Sequence, residues 1–253
     1  LLIFLAILFE YCQEYRMSDF QLPFPARVKI MTWNVWGDNK WPERKTSLMR
    51  VLHSCQPDVF CLQECTPSLI AALDSTLGSY SRIMEPEKRG WNYESQIYFN
   101  KSLLNKIDHG CSSLDMVDHP DRGLFWARFE LAQNPAVSFF VSTVHMPWQG
   151  CDEEVATGMN QRIPTTVKVI EQLRRISPLG EASILCGDFN DDYHPIRILQ
   201  EEYGFTDVFE LLDMPPPITH PVRCSSLQEV QRPDRTLDWI TCSLPVNCRI
   251  AGE

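Results

Sequence analysis

Five apolar runs in this chain carry a residue able to do acid–base or metal chemistry at or near their ends. Asn34 follows "IMTW", Glu64 follows "VFCLQ", His145 follows "VSTV", Asp188 and Asn190 follow "ILCG", and Asp238 lies inside "TLDWI". A carboxylate at the end of a core strand is costly to desolvate unless something compensates it. If these strand ends meet at one edge of packed sheets, they form a pocket with three carboxylates, two amides and an imidazole. Clustered carboxylates with further oxygen donors suit a hard divalent cation, Mg2+ with Mn2+ as the alternative. An imidazole and amides beside that cation could stabilise charge on a phosphoryl oxygen. Asp188 could then take a proton from an attacking water or orient it.

Each residue alone has a plainer reading. Asn34 could cap a turn. Glu64 precedes Thr66-Pro67 and could sit near a helix N-terminus, where negative charge is favoured. A single histidine such as His145 is commonly a satisfied core residue, and Gly187-Asp188 could be a simple turn. The recurrence of such endings is what singles them out. Two further residues extend the set toward substrate. Trp36 and Trp148 follow the motif residues closely, and an exposed aromatic could stack on a base or a phenolic leaving group, with rim packing as the alternative. Arg162 opens the helix after the His145 loop and could reach a phosphate, or be an ordinary surface arginine.

The elements that must position these side chains are readable in outline. "VKIMTW" reads as a strand ending at Asn34, Pro42 opens a helix to about Gln56, and residues 57–64 are a buried strand ending in a carboxylate. Pro67 starts a second helix. "YSRIME", "SQIYFNK", "GLFWARFEL" and "VSFFVSTVH" are rich in β-branched and aromatic residues and read as strands. Pro164 opens a helix with Val167, Ile170, Leu173 and Ile176 on one face. "ASILCGDFN" is a strand, about 194–202 a short helix, and "TLDWITCS" a strand again. Strand–helix–strand units alternate with strands joined directly, which favours α/β with largely antiparallel sheets over a doubly wound parallel sheet.

Bulk properties bound the reading. The chain has 253 residues, 44% apolar and 22% charged, as in a globular protein with a sizeable core. A net charge of −10 argues against coating long nucleic acid through many phosphate contacts. It leaves open a small phosphate ester or a strand end, since a bound metal can supply local positive charge. Ten cysteines are scattered. Cys61-x-x-x-Cys65 has no second pair to make a zinc site, Cys61 and Cys186 read as core residues, and a reducing, intracellular compartment is favoured. The opening "LLIFLAILF" is too short to span a bilayer. It reads as the end of a targeting or membrane segment, or as sequence upstream of a start at Met17. Residues 1–25 are thus expected to be a tail, with a membrane link left open, and 26–253 the domain.

With "MTWNVWG", "PDVFCLQE", "STVHMPW", "CGDFN" and "RTLDWI" in this order, residues 28–243 resemble the endonuclease/exonuclease/phosphatase superfamily. That group includes pancreatic-type deoxyribonucleases, abasic-site endonucleases, tyrosyl-DNA phosphodiesterases, deadenylases, sphingomyelinases and inositol polyphosphate 5-phosphatases. The resemblance implies a four-layer sandwich, two face-packed and mostly antiparallel β-sheets flanked by helices. It implies a monomeric Mg2+-dependent phosphoester hydrolase acting on a phosphodiester, at a nucleic-acid end or in a small phosphoester. Glu64 would be the principal metal ligand, with Asn34 beside it at the metal and substrate. Asp188 would activate water, Asn190 would hold phosphate and aspartate, and His145 would contact the scissile phosphate. Asp238 would orient a C-terminal histidine, as a carboxylate orients the base of a hydrolase triad. The departure is that no histidine occurs among the 13 residues after Ile240. Two accounts follow: the domain lacks its last strand here, or the chain is a catalytically impaired member acting as a binding module. Accidental matches in an unrelated α/β enzyme remain a third, which requires that the strand ends do not converge.

Overall fold

The computed structural model describes residues 6–11, 26–177, 180–220, 235–243 and 246–250. Within them the chain runs β1 (Ala6–Tyr11), β2 (Ala26–Asn34), α1 (Lys45–Cys55), β3 (Val59–Gln63), α2 (Pro67–Thr76), β4 (Tyr80–Arg82), α3 (Gly90–Tyr93), β5 (Ser95–Asn100) and β6 (Leu104–Ser113). It continues with β7 (Gly123–Leu131), β8 (Asn134–His145), α4 (Asp152–Thr157), α5 (Arg162–Ile176), β9 (Ser183–Asp188), α6 (His194–Tyr203), β10 (Phe205–Asp207), α7 (Val208–Leu211), β11 (Asp238–Ser243) and β12 (Val246–Ile250). Two sheets result, ordered β12-β1-β2-β3-β5-β4 and β10-β11-β9-β8-β7-β6.

Each sheet is antiparallel except for one central parallel pair, β2 with β3 and β8 with β9. Parallel neighbours end at the same edge, so both sheets deliver two strand C-termini to one side of the molecule. Side-chain alternation then assigns the faces. Val28 and Ile30 of β2, with Val59 and Cys61 of β3, join the core shared with Phe129, Phe140, Ile184 and Cys186 of the second sheet. Met31, Trp33, Phe60 and Leu62 point the other way, onto Leu48 and Leu52 of α1 and Leu69 and Leu73 of α2. On the far side Val169, Ile170 and Leu173 of α5 cover the second sheet. The four layers and the mostly antiparallel pairing match the sequence reading.

Several local expectations change. Helix α1 begins at Lys45 rather than Pro42, and α5 at Arg162 rather than Pro164. The buried face of α5 is Thr165, Thr166, Val169, Ile170 and Leu173, while Val167 is 45% exposed. The threonines can be buried because their hydroxyls donate to the carbonyls of Gln161 and Arg162 one turn back. Residues 1–25 are not all outside the fold, because β1 pairs antiparallel with β2 and β12 pairs with β1. The rest of that opening apolar stretch lies outside the described residues. Among the described residues no helix is long and apolar enough to cross a membrane.

Candidate active site

The strand register brings the polar endings together. In the second sheet His145 is paired with Asp188, and Asp188 with Asp238, so three neighbouring strands present one row of acid–base groups. In the first sheet Asn34 is paired with Gln63, the residue before Glu64. The Asn34 side-chain nitrogen donates to Glu64 Oε1 and to Asp188 Oδ2, each at 2.9 Å, and so joins the two sheets. Its oxygen accepts from the Trp36 N–H at 2.9 Å. Two carboxylates take the donor end and an N–H takes the acceptor end, which fixes the amide's orientation. The Asn34 oxygen is thus engaged by the backbone, while its nitrogen joins the carboxylates of Glu64 and Asp188.

Beneath Glu64, Gln63 is fully buried and donates to Thr32 Oγ1 at 3.1 Å and to Thr143 Oγ1 at 2.8 Å. It is a polar tie between β3 and β8. Above Glu64, Gly37 adopts φ +52°, and a Cβ placed there would come within 3.7 Å of Glu64 Oε2. Arg44 holds this loop by donating to the carbonyls of Val35, Asn39 and Gly37.

Asp188 is held at both oxygens. Oδ1 accepts from the Asn190 N–H at 2.9 Å, and Oδ2 accepts from Asn34 and lies 3.8 Å from His145 Nε2. Asn190 adopts φ +50° and donates its amide to the Met146 carbonyl at 3.0 Å, tying the turn after β9 to the end of β8. Gly187 adopts φ +143°, and a Cβ there would stand 1.9 Å from the Val144 oxygen, so only glycine fits before Asp188. Burial, and then the neighbouring charge of Asp188, push the Asp238 carboxyl well above the usual range, while Thr219 and the Asn34 backbone bond to it. Among the described residues no histidine bonds Asp238.

His145 is buried, and its Nδ1 lies 2.5 Å from Glu94 Oε1. Arg122 Nε stands 3.3 Å from the same oxygen, and Arg122 also donates to the Met146 carbonyl. Burial raises the Glu94 carboxyl, but the His145 bond and the charges of His145 and Arg122 outweigh it and hold the group below its ordinary value. Glu94 and Arg122 were not readable as site residues, because each stands just before a strand, where charge is ordinary.

Residues 31–207 match the Endonuclease/Exonuclease/phosphatase family. The chain belongs to it. Protein angel of Drosophila melanogaster is 27% identical over 180 residues, covering 66% of this chain and 49% of that protein, so the chain spans about half the length of this relative. Among solved structures, D. rerio TDP2 complexed with single-strand DNA product has a TM-score of 0.67 at 20% identity, covering 85% of this chain and 82% of that one. The human Nocturnin catalytic domain with bound sulfate has a TM-score of 0.66 at 18% identity, covering 89% and 87%. A Bacteroides thetaiotaomicron mannosyl-6-phosphatase gives 0.67 at 18%, covering 85% of each chain. At these identities the structures establish the shared fold. The family's name joins nucleases and phosphatases, so the chain carries a phosphoesterase scaffold.

The two sequence-predicted substrate residues Trp148 and Arg162 differ in exposure in this family member. Trp148 is 45% exposed on the loop after β8. The Arg162 side chain is 3% exposed, and both terminal nitrogens donate to Glu154. Glu154 lies eight residues earlier on α4, and only the fold shows that it claims the guanidinium.

Proposed function

We propose that this chain is a divalent-metal-dependent phosphoester hydrolase of the phosphodiesterase or nuclease type. The observation that carries the reading is the Asn34 amide shared between Glu64 and Asp188 across the two sheets. Among the described residues no group of three or more His, Cys, Asp or Glu forms a ready cage. Two carboxylates beside an open glycine position suit a cation that keeps several waters, as Mg2+ does, with Mn2+ as a substitute. Glu64 would hold it, with Asp188 opposite. When bound, the cation supplies Lewis-acid stabilisation of charge on the phosphoryl oxygen.

The chain's own residues supply the rest. Asp188 is fixed at both oxygens and is placed to orient the attacking water or take its proton. His145, anchored at Nδ1 by Glu94, keeps Nε2 on the Asp188 side, where it can donate to a phosphoryl oxygen. Asn190 holds Asp188 through its backbone rather than its side chain. Trp148 at the rim and the net charge of −10 favour a strand end or a small phosphodiester over a long duplex.

The test is hydrolysis with and without Mg2+ of bis-p-nitrophenyl phosphate, single-stranded DNA and RNA, a tyrosyl-linked oligonucleotide, sphingomyelin and a phosphoinositide. Mg2+-dependent turnover is expected on at least one, falling about 10³-fold in Asp188→Ala with an unchanged circular dichroism spectrum. Undiminished turnover in Asp188→Ala would overturn the assignment. Mg2+ binding with no turnover of any substrate would replace it with a binding module.

A further inference from the structure

Two arginines converge on the tip that carries Trp148. Arg235, just before β11, makes a bidentate pair with Asp192, Nε to Oδ2 at 3.1 Å and Nη2 to Oδ1 at 2.8 Å. Its remaining terminal nitrogen donates to Gln149 Oε1 at 2.9 Å. Arg162 grips Glu154, whose Oε2 in turn accepts the Gly150 N–H at 3.3 Å. The Arg162 Nε stands 3.6 Å from Asp191 Oδ2. Asp191 is itself fixed by the N–H groups of Tyr193 and His194 and by the amide of Asn160. Gln149 and Gly150, the two residues after Trp148, are thereby tied through Arg235 to Asp192 and through Glu154 and Arg162 to Asp191, the two residues directly after Asn190.

Isolated surface ion pairs add little to stability. Here two forked, charge-assisted pairs, Arg235 with Asp192 and Arg162 with Glu154, each pass one further hydrogen bond to the loop tip, to Gln149 and to the Gly150 N–H, beside an indole that is 45% exposed. An exposed indole whose next two residues are tied down, two residues beyond the Met146 carbonyl that Asn190 grips, offers an aromatic face beside the site. We infer that Arg162 and Arg235 are positioning residues that lock the Trp148–Gly150 tip to the Asp191–Asp192 turn, making Trp148 a stacking surface for an aromatic ring carried next to the substrate phosphate. This rests on the phosphodiester reading of the site and narrows it to ring-bearing substrates, whether the ring is a nucleobase or an aryl leaving group.

The experiment compares kcat/KM for oligothymidylate with that for an abasic strand of equal length, using the full chain with Mg2+. Wild type should prefer the base-bearing strand. Trp148→Ala and Arg235→Ala should each shrink that preference about tenfold, through KM rather than kcat, and Arg235→Lys, which loses the fork, should restore only part of it. Stronger inhibition by phenylphosphonate than by methylphosphonate, lost in the same variants, identifies an aryl ring as sufficient; inhibition indifferent to the ring assigns the surface to nucleobases. Equal losses on both strands, or a loss in Trp148→Ala with none in Arg235→Ala, overturn the inference. If no phosphoester is turned over, the reading of the site falls, yet this inference is still decided by binding. Oligothymidylate should quench wild-type fluorescence more than that of Trp148→Phe, and identical quenching overturns it.

Discussion

Asn34 and Asp188 are 154 residues apart in the chain, and the amide of one donates to the carboxylate of the other at 2.9 Å. The same nitrogen serves Glu64, so one neutral side chain separates two acids that would otherwise face each other. Removing it in Asn34→Ala should cost about 1–3 kcal/mol of stability, the usual range for hydrogen bonds to charged partners. Asn34→Asp should be worse, because a third carboxylate replaces the donor. Without Mg2+ its melting temperature should lie below that of Asn34→Ala, and added Mg2+ should raise it by more. A Tm ranking in the reverse order would show that the amide does not separate these charges.

Glu94 gives the site a pH signature. Its carboxyl is depressed in the fold, so the unfolded chain binds more protons as pH falls through the carboxylate range. The stabilisation is therefore full above the ordinary carboxylate value and is lost as pH drops below it through the folded value. Glu94→Gln removes that contribution. Unfolding free energies from urea titrations of wild type and Glu94→Gln should differ by about 3 kcal/mol at pH 7, and the gap should hold down to the ordinary carboxylate value and narrow below it toward pH 3. A gap that is constant across this range would mean that the ionised carboxylate is not what His145 and Arg122 hold.

The sequence was informative where burial and chemistry coincide on one residue. Asn34, Glu64, His145, Asp188 and Asp238 each interrupt an apolar run, and the fold gathers them as expected. It was silent on Glu94 and Arg122, whose meaning comes only from the contact with His145. Strand β6 escaped notice because its residues are mostly exposed along an edge and show no apolar alternation. On α5 the hydrophobic pattern pointed to Val167, but threonines that satisfy their own hydroxyls were buried instead. The burial of Arg162 was not legible for a related reason, since no local pattern tells whether a guanidinium faces solvent or Glu154.

Gly187 sets a steric limit on strand β9. A methyl group there would overlap the Val144 carbonyl at 1.9 Å, and that oxygen belongs to the adjacent parallel strand. With φ at +143° the backbone conformation is also one that side chains avoid. Gly187→Ala should thus destabilise by about 3 kcal/mol or more, read from the denaturant midpoint. Any folded fraction should show weakened activity, because β9 must move at the residue preceding Asp188.

Gln63 offers the cleanest separation of stability from site geometry. It is fully buried, and its amide satisfies the hydroxyls of Thr32 and Thr143 on two different sheets. Gln63→Leu strands both hydroxyls and should cost about 1–3 kcal/mol. Replacing the hydroxyls as well, in Gln63→Leu with Thr32→Val and Thr143→Val, removes every unpaired group, and such coordinated replacement is close to neutral. The triple variant should therefore return to within about 1 kcal/mol of wild type, a non-additivity that only groups in contact produce. Its turnover, however, should stay below that of wild type, because Glu64 directly follows Gln63 and an apolar contact does not fix a strand end as tightly as two directed bonds. Additive losses in the three single variants would show that Gln63 and the threonines act independently.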